Sequence, residues 1–371
     1  INQKKVLCGG FIMSKLNIRL ICVAVMLFCA NSFAARVWHH QQVDYCRPTA
    51  SSVAMFNENT WPVIAYANGS IKLMTPAGWV ESPYLISGST DAASSNNVVG
   101  FTDPYGRYYQ LSSQGWQMSN YASDIMEPYT RPSIDYNGIG NAVILHNNNS
   151  SEELTISTFT GQGWLNEVIE DGFRTSSFAL EMDSLNNTNI IFQDGDSLRY
   201  GIKGMITNNQ WLISDPTDDD IFSENLDLAL TTTNVPYAVY RERDSLNYGT
   251  FDIKTGTWQH GFLDYISGPR KFTIKADKAG GIGVAYVCDS YEGHFLKFAY
   301  MDPVSGMWEI EQIIEASANT VGLAFDNENN PVISYANGDG IWLAYDPEVV
   351  PEPVSLLLII TGSLILRLRR A

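Results

Sequence analysis

Long apolar runs, cysteine and positive charge are all scarce in this 371-residue chain, and each scarcity closes off a class of protein. The longest apolar stretches, Leu20–Phe28 and Val354–Leu366, are too short to span about 30 Å of hydrocarbon as permanent helices, which excludes a polytopic helical membrane protein. Three of the five cysteines (Cys8, Cys22, Cys29) precede Ala34, so Cys46 and Cys288 alone cannot build a disulfide framework or a four-cysteine zinc site. The 23 basic residues face 40 acidic ones, for a net charge of −17, which argues against binding nucleic-acid phosphates. No phosphate-cradling glycine loop, Ser-His-Asp signature or paired-cysteine motif is present. The histidines at 39, 40, 146, 260 and 294 lack metal-ligand spacing, and His39 and His40, as strand neighbours, point to opposite faces. What the chain does have is core material. Hydrophobic residues make up 45% and aromatics 12%, so it is no disordered acidic tail.

Charge is unevenly placed. Seven of the basic residues lie at the two ends, at 4, 5, 15, 19, 367, 369 and 370, whereas residues 35–350 hold 39 acidic and 16 basic side chains, a net of −23. Basic ends around an acidic middle suggest two address segments flanking one working domain. Residues 1–12 precede the first methionine, Met13, and read as an upstream extension. Lys15 and Arg19 then precede the apolar Leu20–Phe28, and Ser32-Phe33-Ala34 offers small residues for cleavage between Ala34 and Ala35. Residues 13–34 thus read as a secretory signal peptide, cut by signal peptidase.

The far end has three parts in order: Pro351-Glu352-Pro353, the largely apolar segment 354–366, and Arg367, Arg369 and Arg370. Proline keeps Glu352 in an extended segment that an enzyme can grip, and the arginines hold the far end on the cytoplasmic side. Residues 348–371 resemble the PEP-CTERM sorting signal, which exosortase reads in Gram-negative bacteria that make extracellular polysaccharide. The resemblance implies a transient inner-membrane precursor, then processing and delivery to the cell surface or matrix. It says nothing of what the cargo does.

Between the ends the chain repeats. Trp79, Trp116, Trp164, Trp211, Trp258 and Trp308 follow at intervals of 37, 48, 47, 47 and 50, most of them after a glycine turn. A second series of β-branched strands ends at Tyr66, Phe101, His146, Gln193, Tyr240, Tyr286 and Tyr335. A period of 45–50 residues with several short strands per unit predicts an all-β fold, a β-propeller over residues 35–347. The last unit lacks its tryptophan strand, and the segment around Trp38 (RVWHHQQVD) resembles those that follow Trp164 and Trp308. The amino-terminal strand is therefore expected to close the ring, giving seven blades, or six plus a degenerate one where the second unit shortens. The units resemble loosely related bacterial propeller repeats of the form FD-NG-PVIAY, a resemblance specific for architecture alone. The tryptophans read as rings wedged between blades.

Function on propellers usually sits on the face made by the loops between second and third strands. Here that face is expected to present Asp103, Tyr105, His146, Asp194, Asp196, Arg241, Arg243, Asp244, Asp289, Tyr291 and Asp339. Such a carboxylate-rich rim suits a sugar, a cation or a peptide, and reads equally as solvated loop. Asp215–Asp220 has the acidity of a calcium loop without its glycine punctuation, so no cofactor is assigned. Cys46 and Cys288 are expected in loops of this same face, either bridged or as two separate thiols. These observations point to an exported binding or structural module whose partner is a polysaccharide or matrix protein. A glycosidase or lyase on the propeller face is the alternative.

Overall fold

The computed structural model describes residues 36–346, apart from segments 47–49, 57–59, 68, 87–90, 96, 122–131, 149–152, 171–176, 196, 218–225, 253, 267–271, 291–292, 316–317 and 319. The chain divides into the units Ile1–Val37 and Trp38–Ala371, and every described strand belongs to the second. Both sorting segments expected from the sequence lie outside the described residues.

Seven antiparallel sheets of four strands make up this unit. The first strand in the chain, β1 (His39–Asp44), is set apart from the rest. Blade 1 then holds β2 (Ser51–Phe56), β3 (Trp61–Tyr66), β4 (Gly69–Thr75) and β5 (Gly78–Ile86). Blade 2 holds β6 (Asp91–Ser95), β7 (Val98–Thr102), β8 (Arg107–Ser112) and β9 (Gly115–Asn120), so the shortened second unit is a complete blade. Blade 3 is β10 (Ser133–Tyr136), β11 (Ala142–Asn148), β12 (Glu153–Phe159) and β13 (Trp164–Glu170). Blade 4 is β14 (Phe178–Met182), β15 (Thr188–Asp194), β16 (Ser197–Lys203) and β17 (Leu212–Thr217). Blade 5 is β18 (Leu226–Leu230), β19 (Pro236–Glu242), β20 (Ser245–Asp252) and β21 (Thr257–Tyr265). Blade 6 is β22 (Phe272–Ala276), β23 (Ile282–Ser290), β24 (Gly293–Met301) and β25 (Trp308–Glu315). Blade 7 joins β26 (Thr320–Phe325), β27 (Pro331–Asn337) and β28 (Gly340–Tyr345) to β1. The protein is a seven-bladed β-propeller.

Closure follows the sequence expectation. His39 pairs with Tyr345 and Gln42 with Trp342, so the outer strand of the last blade comes from the opposite end of the chain. The first strand of each blade touches the first strand of the next, and β26 touches β2, completing the ring. No single core exists. Apolar clusters fill the spaces between successive blades, as where Val43, Ile341 and Leu343 of blade 7 pack on Val53, Ile64 and Tyr66 of blade 1. Burying each such side chain contributes about 1.5–3 kcal/mol, so stability is spread around the ring. The tryptophans behave as wedges: Trp164 of blade 3 meets Tyr108 of blade 2 at 5.4 Å, and Trp258 of blade 5 meets Tyr200 of blade 4 at 5.3 Å. Trp38 meets Phe298 of blade 6 edge-on at 5.9 Å.

Short polar side chains form the turns between first and second strands. Asp183, Asp277 and Asp326 each accept two backbone N–H bonds, from the residues two and four further on, at 2.7–2.9 Å. Asparagines in the left-handed conformation then couple neighbouring turns. Asn234 (φ 62°) accepts from the Ser184 N–H and hydroxyl, and Asn329 (φ 66°) accepts from the Lys278 N–H.

Candidate functional site

First strands running along the axis leave a central channel. Its smaller chamber, about 80 Å³, lies among the strand starts, beside Ser51, Ser133, Ser177 and Asp227. The larger chamber, about 330 Å³, lies among the strand ends, beside Ser94, Asp135, Glu181 and Asp326. Val53, Ala92, Lys275 and Leu323 line both, so Lys275 stands at the neck between them.

The channel carboxylates do two kinds of work. Asp91 Oδ2 accepts the Ile134 N–H at 2.9 Å, Asp135 Oδ2 the Met182 N–H at 2.6 Å, and Asp227 Oδ2 the Ile274 N–H at 3.0 Å. Each fastens its own first strand to the backbone of the next blade, a donor that would otherwise be buried without a partner. Glu181 does something else. Its Oε1 accepts from Lys275 Nζ at 2.7 Å, reaching from blade 4 to blade 6 across blade 5. Its carboxyl also stands near enough to that of Asp135 for each to influence the other's ionisation.

Enclosure sets the electrostatics. Burial, reinforced by the Asp135 charge and opposed by Lys275, pushes Glu181 up to about 8. Burial likewise raises Asp135, and lifts Asp227 to about 6. Burial disfavours the Lys275 ammonium, but Glu181, Asp227 and Asp91 outweigh it and hold that group above its ordinary value. The side chains of Lys275 and Glu181 keep 26% and 16% of their surface open. That surface faces the channel interior rather than bulk solvent, so water screens the cluster poorly.

The expected rim is more dispersed. Asp103 is fully buried, accepting from the N–H groups of Tyr105 and Arg107, from Arg107 Nε at 2.7 Å and from the Tyr109 hydroxyl at 3.0 Å, so the turn itself consumes its carboxylate. Tyr105 is 45% exposed, with the Arg107 guanidinium 5.5 Å from its ring centre. His146 is buried within β11 rather than on the rim. Its Nε2 lies 2.7 Å from the Ser157 hydroxyl, which donates to Asn166 Oδ1, and burial pushes its pKa down to about 4. Asp194 pairs with Arg199 at 2.8 Å within its own blade. Arg241 Nε donates to the Arg243 carbonyl at 2.6 Å, and Asp244, 84% exposed, lies 3.8 Å from Arg241. Asp339 offers its carbonyl to Gln42 Nε2 at 3.1 Å. The backbone of Asp289 pairs with that of His294, while its side chain, Asp196 and Tyr291 lie outside the described residues.

The cysteines do not meet. No disulfide links Cys46 to Cys288. Cys288 is a strand residue of β23 whose Sγ donates to the Tyr265 carbonyl at 3.1 Å, and Cys46 packs in the cluster between blades 7 and 1. Placement between different blade pairs is the reason, since a bridge needs α-carbons within about 7 Å. Among the described residues no group of three or more His, Cys, Asp or Glu side chains is placed to hold a metal ion. Asp218–Asp220 lie outside the described residues, and no described helix is long and apolar enough to cross a membrane.

The channel cluster was missed by reasoning that looked only at loops. Its signal was present: SIDY, FALEM, LDLAL and FTIKA each place one charge inside an otherwise uncharged first strand.

Fold and site together define a seven-bladed propeller whose axis carries a lysine held among carboxylates. Solved propellers resemble it at the level of the fold. AofleA from Arthrobotrys oligospora superposes with a TM-score of 0.53 at 15% identity, covering 76% of this chain and 90% of the other. A triple arginine-to-alanine variant of AofleA gives 0.51 at 14% identity, covering 76% and 91%. A protein of unknown function from Dyadobacter fermentans gives 0.49 at 10% identity, covering 82% and 98%. No family model and no curated protein matches the chain.

Proposed function

We propose that this protein is an exported propeller, delivered to the cell surface or extracellular matrix, that binds polysaccharide or a matrix protein and carries out no reaction. One observation carries the reading. His39 pairs with Tyr345 while the Asn337–Gly340 turn lies at the other end of β27 and β28. His39 and Tyr345, nearest the two ends among the described strand residues, therefore stand at one face of blade 7. Tyr105, Arg241 and Asp244 lie toward the opposite face, in or beside loops between second and third strands. A precursor held by its tail would present that face outward. The acid pair of the channel also favours binding over hydrolysis. Asp135 is engaged by the Met182 N–H and Glu181 by the Lys275 ammonium, whereas a glycosidase presents both of its carboxyls to the sugar.

The test uses the full chain expressed with its own ends in a bacterium that makes exopolysaccharide and exosortase. Replacing Glu352 with Gln is expected to leave unprocessed precursor in the inner membrane. The processed protein is expected to co-sediment with the polysaccharide without shortening it. Normal release of the Glu352→Gln chain overturns the sorting part, and new reducing ends in the polysaccharide overturn the non-catalytic part.

A further inference from the structure

The larger chamber of the channel has two unlike sides. Blades 1 and 7 supply Val53, Ala54, Leu323 and Ala324, whereas blades 3, 4 and 6 supply Asp135, Glu181 and Lys275. Architecture alone does not require the charged strand positions, because the first strands of blades 1 and 7 line the same chamber with Val53, Ala54, Met55, Leu323, Ala324 and Phe325, their one carboxylate being Asp326 in the turn beyond β26. Buried ion pairs are also seldom better for stability than apolar residues of similar volume. Nor do Glu181 and Lys275 serve as fasteners in the way that Asp91 and Asp227 do. Those two hold a backbone N–H of the next blade, while Glu181 and Lys275 hold each other across the space beside Leu230.

Size and charge narrow the occupant. About 330 Å³ falls at the lower end of small-ligand sites, suiting one ring and not a chain of them. Four carboxyl residues line the chamber (Asp135, Glu181, Asp277, Asp326) against Lys275 and Lys278, and Asn327 Oδ1 engages the Lys278 ammonium. Ionised together the four outnumber the two lysines, and a carboxyl that burial keeps protonated can ionise beside a bound cation, so an added positive charge is favoured over an added negative one. The apolar side suits the C–H face of a saturated ring.

We propose that this chamber binds a single-ring amino sugar, with its ammonium against the Glu181–Asp135 pair and its ring against Val53, Leu323 and Ala324. Thr232, Lys278 and Asp326 line the end through which it enters. Burial keeps the two carboxyls reluctant to ionise in the empty chamber, and a second ammonium would relieve that. The site stands independently of the export reading, since it lies at the face opposite the rim.

The probes are glucosamine, glucose and N-acetylglucosamine, titrated calorimetrically into the full chain held in detergent. Glucosamine is expected to bind in the millimolar range, about tenfold or more tighter than either uncharged sugar. Glu181→Gln is expected to lose that preference, and Thr232→Trp to weaken binding by narrowing the entrance without touching the charges. Glu309→Gln, on the exposed outer strand β25, is expected to change nothing. Equal affinity for glucose and glucosamine, undiminished glucosamine binding by Glu181→Gln and Thr232→Trp, or no heat with glucosamine overturns the proposal. A parent chain that co-sediments with the polysaccharide but gives no heat with glucosamine would refute the chamber and leave the delivery reading standing.

Discussion

A single buried imidazole illustrates how strongly this interior acts on one residue. Ser157 donates its proton to Asn166, so it accepts from His146 Nε2, and His146 Nδ1 is left bare in the interior. Protonation would bury a charge there, and burial outweighs the backbone hydrogen bond at Asn147, holding the folded pKa at about 4 against an ordinary 6.5. The sign follows directly. Stability from the neutral ring is fully present above about pH 6.5 and is lost as pH falls toward 4. A shift of this size corresponds to on the order of 3 kcal/mol. His146→Gln, which keeps a donor toward Ser157, is expected to show a smaller drop in melting temperature between pH 6.5 and 4 than the parent. Parallel curves for the two proteins would show that another group governs the acid limb.

At the scale of the element, a close backbone approach marks where β26 meets β2. A Cβ on Gly322 would stand 2.9 Å from the Ser52 Cα and 3.0 Å from the Val53 nitrogen, backbone atoms that cannot rotate away. Gly322→Ala therefore has to push blade 7 off blade 1, at an expected cost of about 1–3 kcal/mol. Chemical denaturation should register the loss with an unchanged slope, because the same surface is still exposed on unfolding. Neutral stability would mean that the closing seam yields more readily than the others. The channel fasteners belong to this scale too. Asp91, Asp135 and Asp227 replace missing strand-to-strand ladders with one charged acceptor each, and charge-assisted bonds of this kind are about twice as strong as neutral ones.

For the whole molecule, the closing strand decides whether the ring has a free edge. His39 and Tyr345 are partners, so a short turn could join Asp346 to Trp38 in the way Pro76-Ala77 joins β4 to β5. A permuted chain built with that turn and opened between blades 1 and 2, at residues 87–90, is expected to fold with a melting temperature within a few degrees of the parent. Deleting residues 36–46 instead should leave the outer edge of β28 unpaired and give an aggregating protein. A deletion as stable as the permuted chain would show that closure through β1 is dispensable.

Periodicity made the architecture legible. Tryptophans every 37–50 residues and β-branched strands between turn signals follow from a local need repeated seven times, since each blade must bury both faces against its neighbours. Even the closing strand could be read, because the unit after Tyr345 was short by the segment that Trp38 begins. The site was another matter. Asp103 and His146 read as rim residues in the sequence, yet side-chain burial turned the first into a turn fastener and the second into an interior group. Glu181 and Lys275 are 94 positions apart, and no spacing rule joins them. Local pattern determined the strands, their number and their turns, because those depend on neighbours along the chain. Which charges face one another across the axis depends on how seven blades close into a ring, and tertiary structure alone decided that.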